Sequence, residues 1–220
     1  MTFSEALDIR PGITALIGGG GKTTLMMTLA GELKERGSVI ICTTTRIYPP
    51  KDMEVLLNAD KDGIAEALRL YGAVCVGEMC GEKLGPPNMG VLELACLADY
   101  VIAEADGAKG LPLKAHAGHE PVIPDRARVI YTIGADGIGK TIAEAAHRPE
   151  LYAGRLNTDT GHIITTEDAA KMVDYGDTVL FNKAESKGDI QNGKRFAEYF
   201  GGTTVIASLK DLQIKEIIRK

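Results

Sequence analysis

Thr14-Ala15-Leu16-Ile17-Gly18-Gly19-Gly20-Gly21-Lys22-Thr23-Thr24 decides the fold of this chain. Thr14–Ile17 is a short apolar run that reads as a buried strand. Lys22–Lys34 reads as a helix, stopped by Gly37 just beyond it. The glycines between them let backbone N–H groups turn inward, and no Cβ blocks a ligand's approach. The helix N-terminus adds its dipole and its orphan donors. The turn therefore reads as an anion cradle made of Gly18, Gly19, Gly20, Gly21, Lys22, Thr23 and Thr24. Lys22 would bring a point charge to the β/γ phosphates of a nucleoside triphosphate, ATP or GTP. The Thr23 hydroxyl would ligate Mg²⁺.

Outward from the loop, apolar runs alternate with amphipathic ones. Strands are expected at Thr14–Ile17, Val39–Thr43, Ala73–Val76, Tyr100–Ala103, Val129–Ile133, Thr178–Phe181 and Thr204–Ala207. Helices are expected at Lys22–Lys34, Gly63–Tyr71, Met89–Ala98, Ala143–Leu156, Glu167–Asp174, Gln191–Phe200 and Lys210–Arg219. This alternation predicts an α/β fold, a doubly wound, mostly parallel, three-layer sheet of the P-loop NTPase-like kind. One domain over residues 1–220 is expected, with a long Gly/Pro-rich loop near 107–125 beside the site.

A triphosphate loop needs a carboxylate at the carboxyl end of a buried strand. Tyr100-Val101-Ile102-Ala103-Glu104-Ala105-Asp106 supplies two, spaced so that both can face one site. One of Glu104 and Asp106 is assigned to Mg²⁺, directly or through water. The other would orient a nucleophile or act as base. Lys109 and Lys114 follow and could neutralise a transferring phosphoryl group, although surface lysines on a loop are the plainer alternative. Lys22, Glu104, Asp106 and Lys109 are thus the candidate catalytic residues, and Thr23, Glu104 and Asp106 the candidate metal set. Thr43-Thr44-Thr45-Arg46 ends the second strand, where a γ-phosphate sensor would lie. His116-x-x-His119 has metal-ligand spacing only if helical. Gly118, Pro121 and Pro124 point to a loop, and to ordinary hydrogen-bonding histidines.

Bulk properties exclude several classes. The chain has 220 residues, 45% apolar and 25% charged, as expected of a folded globular protein. A formal charge of −5 and the absence of Trp argue against nucleic-acid binding. No run approaches the roughly 20 apolar residues of a membrane helix, and Met1–Arg10 is too polar for a signal peptide. A cytoplasmic protein is expected. Cys42, Cys75, Cys80 and Cys96 match no zinc spacing and are expected to be reduced, with Cys80 exposed.

Two local resemblances refine the loop and the base site. The common G-x-x-x-x-G-K-[ST] spacing would place glycine where Leu16 stands. The loop instead resembles the shorter G-x-x-G-K-T-T form of Mur-type ligases, with Gly18 leading. Asn182-Lys183-Ala184-Glu185 resembles the guanine-reading N-K-x-D motif with Glu for Asp, and Ala207-Ser208-Leu209 the segment that backs the base in GTPases. Asn182, Lys183 and Glu185 are therefore candidate base-binding residues, which tilts the reading toward GTP and leaves ATP open.

Over a longer span the chain resembles the YqeC family, selenium-dependent hydroxylase accessory proteins. The resemblance rests on motifs occurring in one order: the glycine loop, Thr43-Thr44-Thr45-Arg46 with Pro49-Pro50, and Glu104-Ala105-Asp106-Gly107-Ala108-Lys109-Gly110-Leu111-Pro112-Leu113-Lys114. His119-Glu120-Pro121-Val122-Ile123-Pro124 and His147-Arg148-Pro149-Glu150 follow. It runs from Ile13 to at least Lys183. It implies a role in maturing molybdenum hydroxylases that carry labile selenium, with such an enzyme or a selenium- or molybdopterin-handling protein as partner. Three functions fit: an NTP-hydrolysing accessory factor, an NTP-dependent transferase or ligase for a small selenium or pterin compound, and a nucleotide sensor without chemistry.

Overall fold

The computed structural model describes residues 1–220. In chain order the strands are β1 (Gly12–Gly18), β2 (Val39–Thr43), β3 (Glu54–Leu57), β4 (Ala73–Cys80), β5 (Lys83–Gly85), β6 (Tyr100–Glu104), β7 (Leu113–Lys114), β8 (Arg128–Gly134), β9 (Ala146–His147), β10 (Thr178–Asn182), β11 (Thr203–Ser208) and β12 (Gln213–Ile218). The α-helices are α1 (Phe3–Ala6), α2 (Lys22–Leu33), α3 (Lys61–Tyr71), α4 (Val91–Leu94), α5 (Ile142–Ala145), α6 (Pro149–Leu156), α7 (Thr166–Lys171) and α8 (Lys187–Tyr199). The main sheet runs β12-β11-β10-β8-β1-β6-β2-β4-β3, with β5 hairpinned onto β4. Only the β11–β12 and β4–β5 pairs are antiparallel.

Alternation within the strands builds three layers. Leu16, Ile41 and Ile102 pack with Leu25 and Leu29 of α2 on one face. On the other face Ala15, Ile17, Tyr131 and Phe181 pack with Tyr152 and Phe196 of α6 and α8, while Ile13, Ile40 and Val74 pack with Ile64 and Leu68 of α3. Each large side chain buried this way stabilises the domain by roughly 1.5–3 kcal/mol, so faces this apolar fix the register of the central strands. All seven expected strands form, each within the bounds above. β1 lies at the centre, and the chain leaves it toward β2 on one side while β8, β10 and β11 lie on the other. Such a reversal opens a crevice at the carboxyl end of β1.

Three expected helices are corrected. Lys210–Arg219 is not a helix, because Gln213–Ile218 forms the antiparallel edge strand β12. Ile214, Ile217 and Ile218 have helical spacing, but the register slips at Ile206/Ala207 and leaves Lys215 as an extra, unmatched residue. That bulge puts Ile214 and Ile217 on one face and Ile218 on the other, imitating a helical period. Ala143–Leu156 breaks into α5, the two-residue β9, and α6. Pro149 occupies the first turn of α6 behind Arg148, which is held left-handed at φ 67°. The expected 89–98 helix is reduced to the single turn α4. The long loop is also more ordered than its composition suggests: Leu113–Lys114 pairs in parallel with Ala146–His147. No helix is long and apolar enough to cross a membrane.

Candidate functional site

The loop after β1 is braced on all sides. The Gly18, Gly19 and Gly20 amides donate to Asp106 Oδ2 (2.9 Å), Thr132 O (3.0 Å) and Leu111 O (3.0 Å). Asn182 Nδ2 donates to Gly20 O at 2.7 Å, and Asn182 Oδ1 accepts from Leu209 N at 2.9 Å. A Cβ at Gly19 would lie 2.6 Å from the Leu111 and Pro112 carbonyls, so only glycine fits there. Gly21, at φ 123°, turns the chain into α2. The amides of Gly21, Lys22, Thr23 and Thr24 find no acceptor within the chain. The sequence offered the whole loop as a cradle, and the free donors are these last four, at the mouth of α2.

Beneath them is a buried charge cluster. Lys22, 5% exposed, donates from Nζ to Gly18 O (2.6 Å) and lies 3.0 Å from Asp106 Oδ1 and 3.9 Å from Glu104 Oε1. Thr23 Oγ1 donates to Glu104 Oε2 at 2.8 Å. Glu104 ends β6, flanked by β1 and β2, so its carboxylate emerges at the crevice floor. Burial raises its pKa above the ordinary value, against the pull of Lys22 and the Thr23 hydroxyl.

Asp106 differs from Glu104 in every respect that matters. It has no exposure. Its Oδ2 accepts from Gly18 N and pairs with His116 Nε2 at 2.6 Å, with Lys114 Nζ 3.5 Å away. Burial alone would raise its pKa. The His116 hydrogen bond, the Lys22 and Lys114 charges and the Gly18 amide outweigh burial and hold it well below the usual carboxylate range. A cation could reach it only by displacing Lys22 or opening the loop. The sequence set Glu104 and Asp106 side by side, whereas the structure places one at the crevice floor and the other under the loop.

The cluster extends in two branches. Through His116, Asp106 reaches Asp174 (Nδ1 to Oδ1, 2.8 Å), which pairs with Arg155 (2.8 Å). Arg155 also donates to the His116 carbonyl at 2.6 Å. Burial would lower the His116 pKa, but carboxylates on both ring nitrogens raise it above the ordinary 6.5. Through Lys114, Asp106 reaches Glu120 (2.6 Å) and then Arg148 (3.0 Å). Lys114 is therefore no surface lysine: it is 1% exposed. His116 and His119 point to different partners, and His119 meets Arg148 NH2 at 3.3 Å.

The remaining candidates scatter. Lys109 is exposed and left-handed at φ 51°, on the rim of the crevice. Lys183 also lines the crevice and pairs with Asp136 at 2.9 Å. Glu185 is exposed beside Lys210 at 3.5 Å, away from the crevice lining. Thr43 is buried and donates to Glu104 O at 2.9 Å, so the Thr43–Arg46 segment presents Arg46 rather than its first hydroxyl to the crevice. Asp174 and Arg155 escaped the sequence reading, and Glu120 and Arg148 entered it only as members of the family-like motifs, with no role in the cluster. No local pattern marks Asp174 or Arg155, apart from the histidine they support.

Strand, glycine loop and helix, with a buried lysine under the loop and acids at the neighbouring strand end, define an α/β protein of P-loop architecture. The chain belongs to the YqeC family: the family model described as YqeC protein matches residues 14–150. It is 31% identical over 156 residues to the YqeC protein of Escherichia coli (strain K12), itself uncharacterized. That match covers 66% of this chain, which spans 60% of the relative's length. Among solved structures, the 54 kDa signal recognition particle protein of Aeropyrum pernix K1, in complex with GDP, superposes with a TM-score of 0.42 and 15% identity. The superposition covers 95% of this chain and 44% of that one.

Proposed function

We propose that this chain binds a nucleoside triphosphate with Mg²⁺ and hydrolyses it as an accessory protein. The observation that carries this reading is the set of four unpaired amides, Gly21 to Thr24, converging at a helix N-terminus beside Lys22, Thr23 and Glu104. Four orphan donors and a buried ammonium fit a polyphosphate better than water. The donor set also fits Mg²⁺. No group of three or more His, Cys, Asp or Glu gathers to hold a metal by protein alone. A hydroxyl and a carboxylate 2.8 Å apart suit an ion that keeps waters and takes its other ligands from phosphates.

Thr23 and Glu104 would hold the ion, which supplies charge neutralisation on the phosphates. Lys22 exchanges Gly18 O and Asp106 for a phosphate oxygen. Asp106 acts as a positioning residue, tying the start of the loop to Lys22, Lys114 and His116. Asn182 braces the loop at Gly20, so base selection falls to Lys183 and its neighbours, with ATP and GTP both open. The motif resemblance noted above suggests the pathway, maturation of selenium-dependent molybdenum hydroxylases, with such an enzyme or a selenium- or molybdopterin-handling protein as partner.

The test is calorimetric titration of ATP and GTP with and without Mg²⁺, followed by phosphate release from the tighter binder. Mg²⁺-dependent binding lost in Thr23→Val and Glu104→Gln supports the proposal. No nucleotide binding under any condition defeats it.

A further inference from the structure

The phosphate crevice opens onto a second concavity. It is an adjoining cavity of about 1030 Å³, lined by Arg46, Lys83, Lys109, His119, His147 and Arg148 among others. Arg46, Lys83, Gly107, Lys109 and Leu111 line both spaces, so the two are continuous. The shared residues Gly107 and Lys109 follow the strand-end acid Glu104 in sequence, whereas Lys183 lines only the crevice. Thr23 and Glu104, the residues assigned above to Mg²⁺, line the crevice into which this concavity opens.

The lining is cationic in a chain whose formal charge is −5. Four cations face one carboxylate, Glu120, and that carboxylate is already held by Lys114 and Arg148. Arg46, Lys83 and Lys109 make no ion pair, and Lys83 Nζ rests 4.7 Å over the Tyr48 ring. His147 Nδ1 and Arg148 Nε are buried without a hydrogen-bond partner. Burial and the nearby Lys114 and Arg148 charges lower the His147 pKa, so at neutral pH its ring is uncharged. The N-terminus of α6 opens at Pro149 on the same wall. Lys109 and Arg148 both hold left-handed backbones, at φ 51° and 67°, and such conformations cluster at ligand sites.

We propose that this cavity binds a small anionic molecule bearing phosphate or carboxylate groups, beside the γ-phosphate of the bound nucleotide. Unpaired cations gathered on a concave surface raise the local potential for an anion, and Arg46, Lys83 and Lys109 are left without a carboxylate to answer them. The Arg148–Glu120–Lys114–Asp106–Lys22 chain of ion pairs links the cavity to the loop. Occupancy and nucleotide affinity are therefore coupled. The inference rests on the nucleotide reading above and names a ligand class that this reading leaves blank.

The test uses the full chain saturated with Mg²⁺ and a non-hydrolysable triphosphate analogue, titrated with inorganic phosphate and, separately, citrate. At least one of the two is expected to bind. Ala143→Glu places an acid on the cavity wall, at an exposed position outside the crevice lining. It is expected to weaken the anion by about tenfold or more and to leave nucleotide affinity unchanged. Lys109→Ala should weaken the anion similarly. The idea is overturned if neither anion binds the nucleotide-loaded protein, if anions bind only the nucleotide-free protein, or if Ala143→Glu binds them as tightly as wild type. Absence of nucleotide binding would instead count against the preceding proposal.

Discussion

Replacing Asp106 by Asn tests the charge cluster most directly, because two hydrogen bonds and two ammonium groups converge on one carboxylate. Gly18 N–H, His116 Nε2, Lys22 Nζ and Lys114 Nζ lie 2.9, 2.6, 3.0 and 3.5 Å from its oxygens. An amide offers one acceptor oxygen and turns an NH2 group toward donors that need acceptors. Breaking a fully buried ion pair from one side costs about 3–5 kcal/mol, because the partner charges stay buried. For a domain of this size that corresponds to a fall in Tm of about 6–20 °C. Glu104→Gln is the matched control. Burial already disfavours the Glu104 charge, and Gln still accepts from the Thr23 hydroxyl, so this variant should stay within about 1 kcal/mol of wild type. Urea unfolding followed by far-UV circular dichroism measures both, since the chain has no Trp to serve as an intrinsic probe. An Asp106→Asn protein within about 0.5 kcal/mol of wild type, beside a Glu104→Gln protein that loses several, would refute the assignment of the two acids.

The same cluster sets a pH dependence. The folded pKa of His116 is raised, so its contribution is complete below 6.5 and disappears as pH climbs through the folded value. That of Asp106 is depressed, so its contribution is present above 3.8 and is lost as pH falls toward the folded value. Melting temperatures should therefore decline on the alkaline side in wild type and not in His116→Gln, and a flat wild-type profile from pH 6 to 9 would contradict this. Gly21→Ala should lower stability by about 1–3 kcal/mol in chemical unfolding and abolish nucleotide binding. The position has φ 123°, and a Cβ there would lie 2.6 Å from Asn182 Nδ2. A fully stable, binding-competent variant would show that the loop tolerates another path. Thiol titration should find Cys80 and Cys96 reactive in the native protein and Cys42 and Cys75 silent until unfolding, since burial pushes the latter two up to about 12. Four equally fast thiols would overturn that.

The loop, the central strands and the strand-end acids were legible because they are local: a glycine run between two periodic segments, and acids two apart after an apolar run. What the sequence hid is long-range. Asp174 meets His116 across 58 positions, and nothing near Asp174 marks it as a partner. The sequence marks Lys22 as a charge for the phosphates, and its ion pair with Asp106 gives it a share in the fold as well. The broken 143–156 segment failed for a different reason. Arg148 stands left-handed before Pro149, and its side chain pairs with Glu120, a long-range contact that helix propensity does not announce. Asn182 was read as a contact for the nucleobase because its motif recurs in that role. In this chain its amide ties Gly20 to Leu209, which only the three-dimensional arrangement of β10 and β11 reveals.

The displaced residue in β12 also bears on life in a crowded solution. An open sheet margin rich in isoleucine invites a second molecule to add its own strand and so begin a fibre. Here the margin is kinked at Lys215, whose charged side chain reaches Gln213 at the rim. A kinked, cationic margin offers no straight row of amides to copy. Deleting Lys215 would straighten it and turn the last segment of the chain into a seed for self-association.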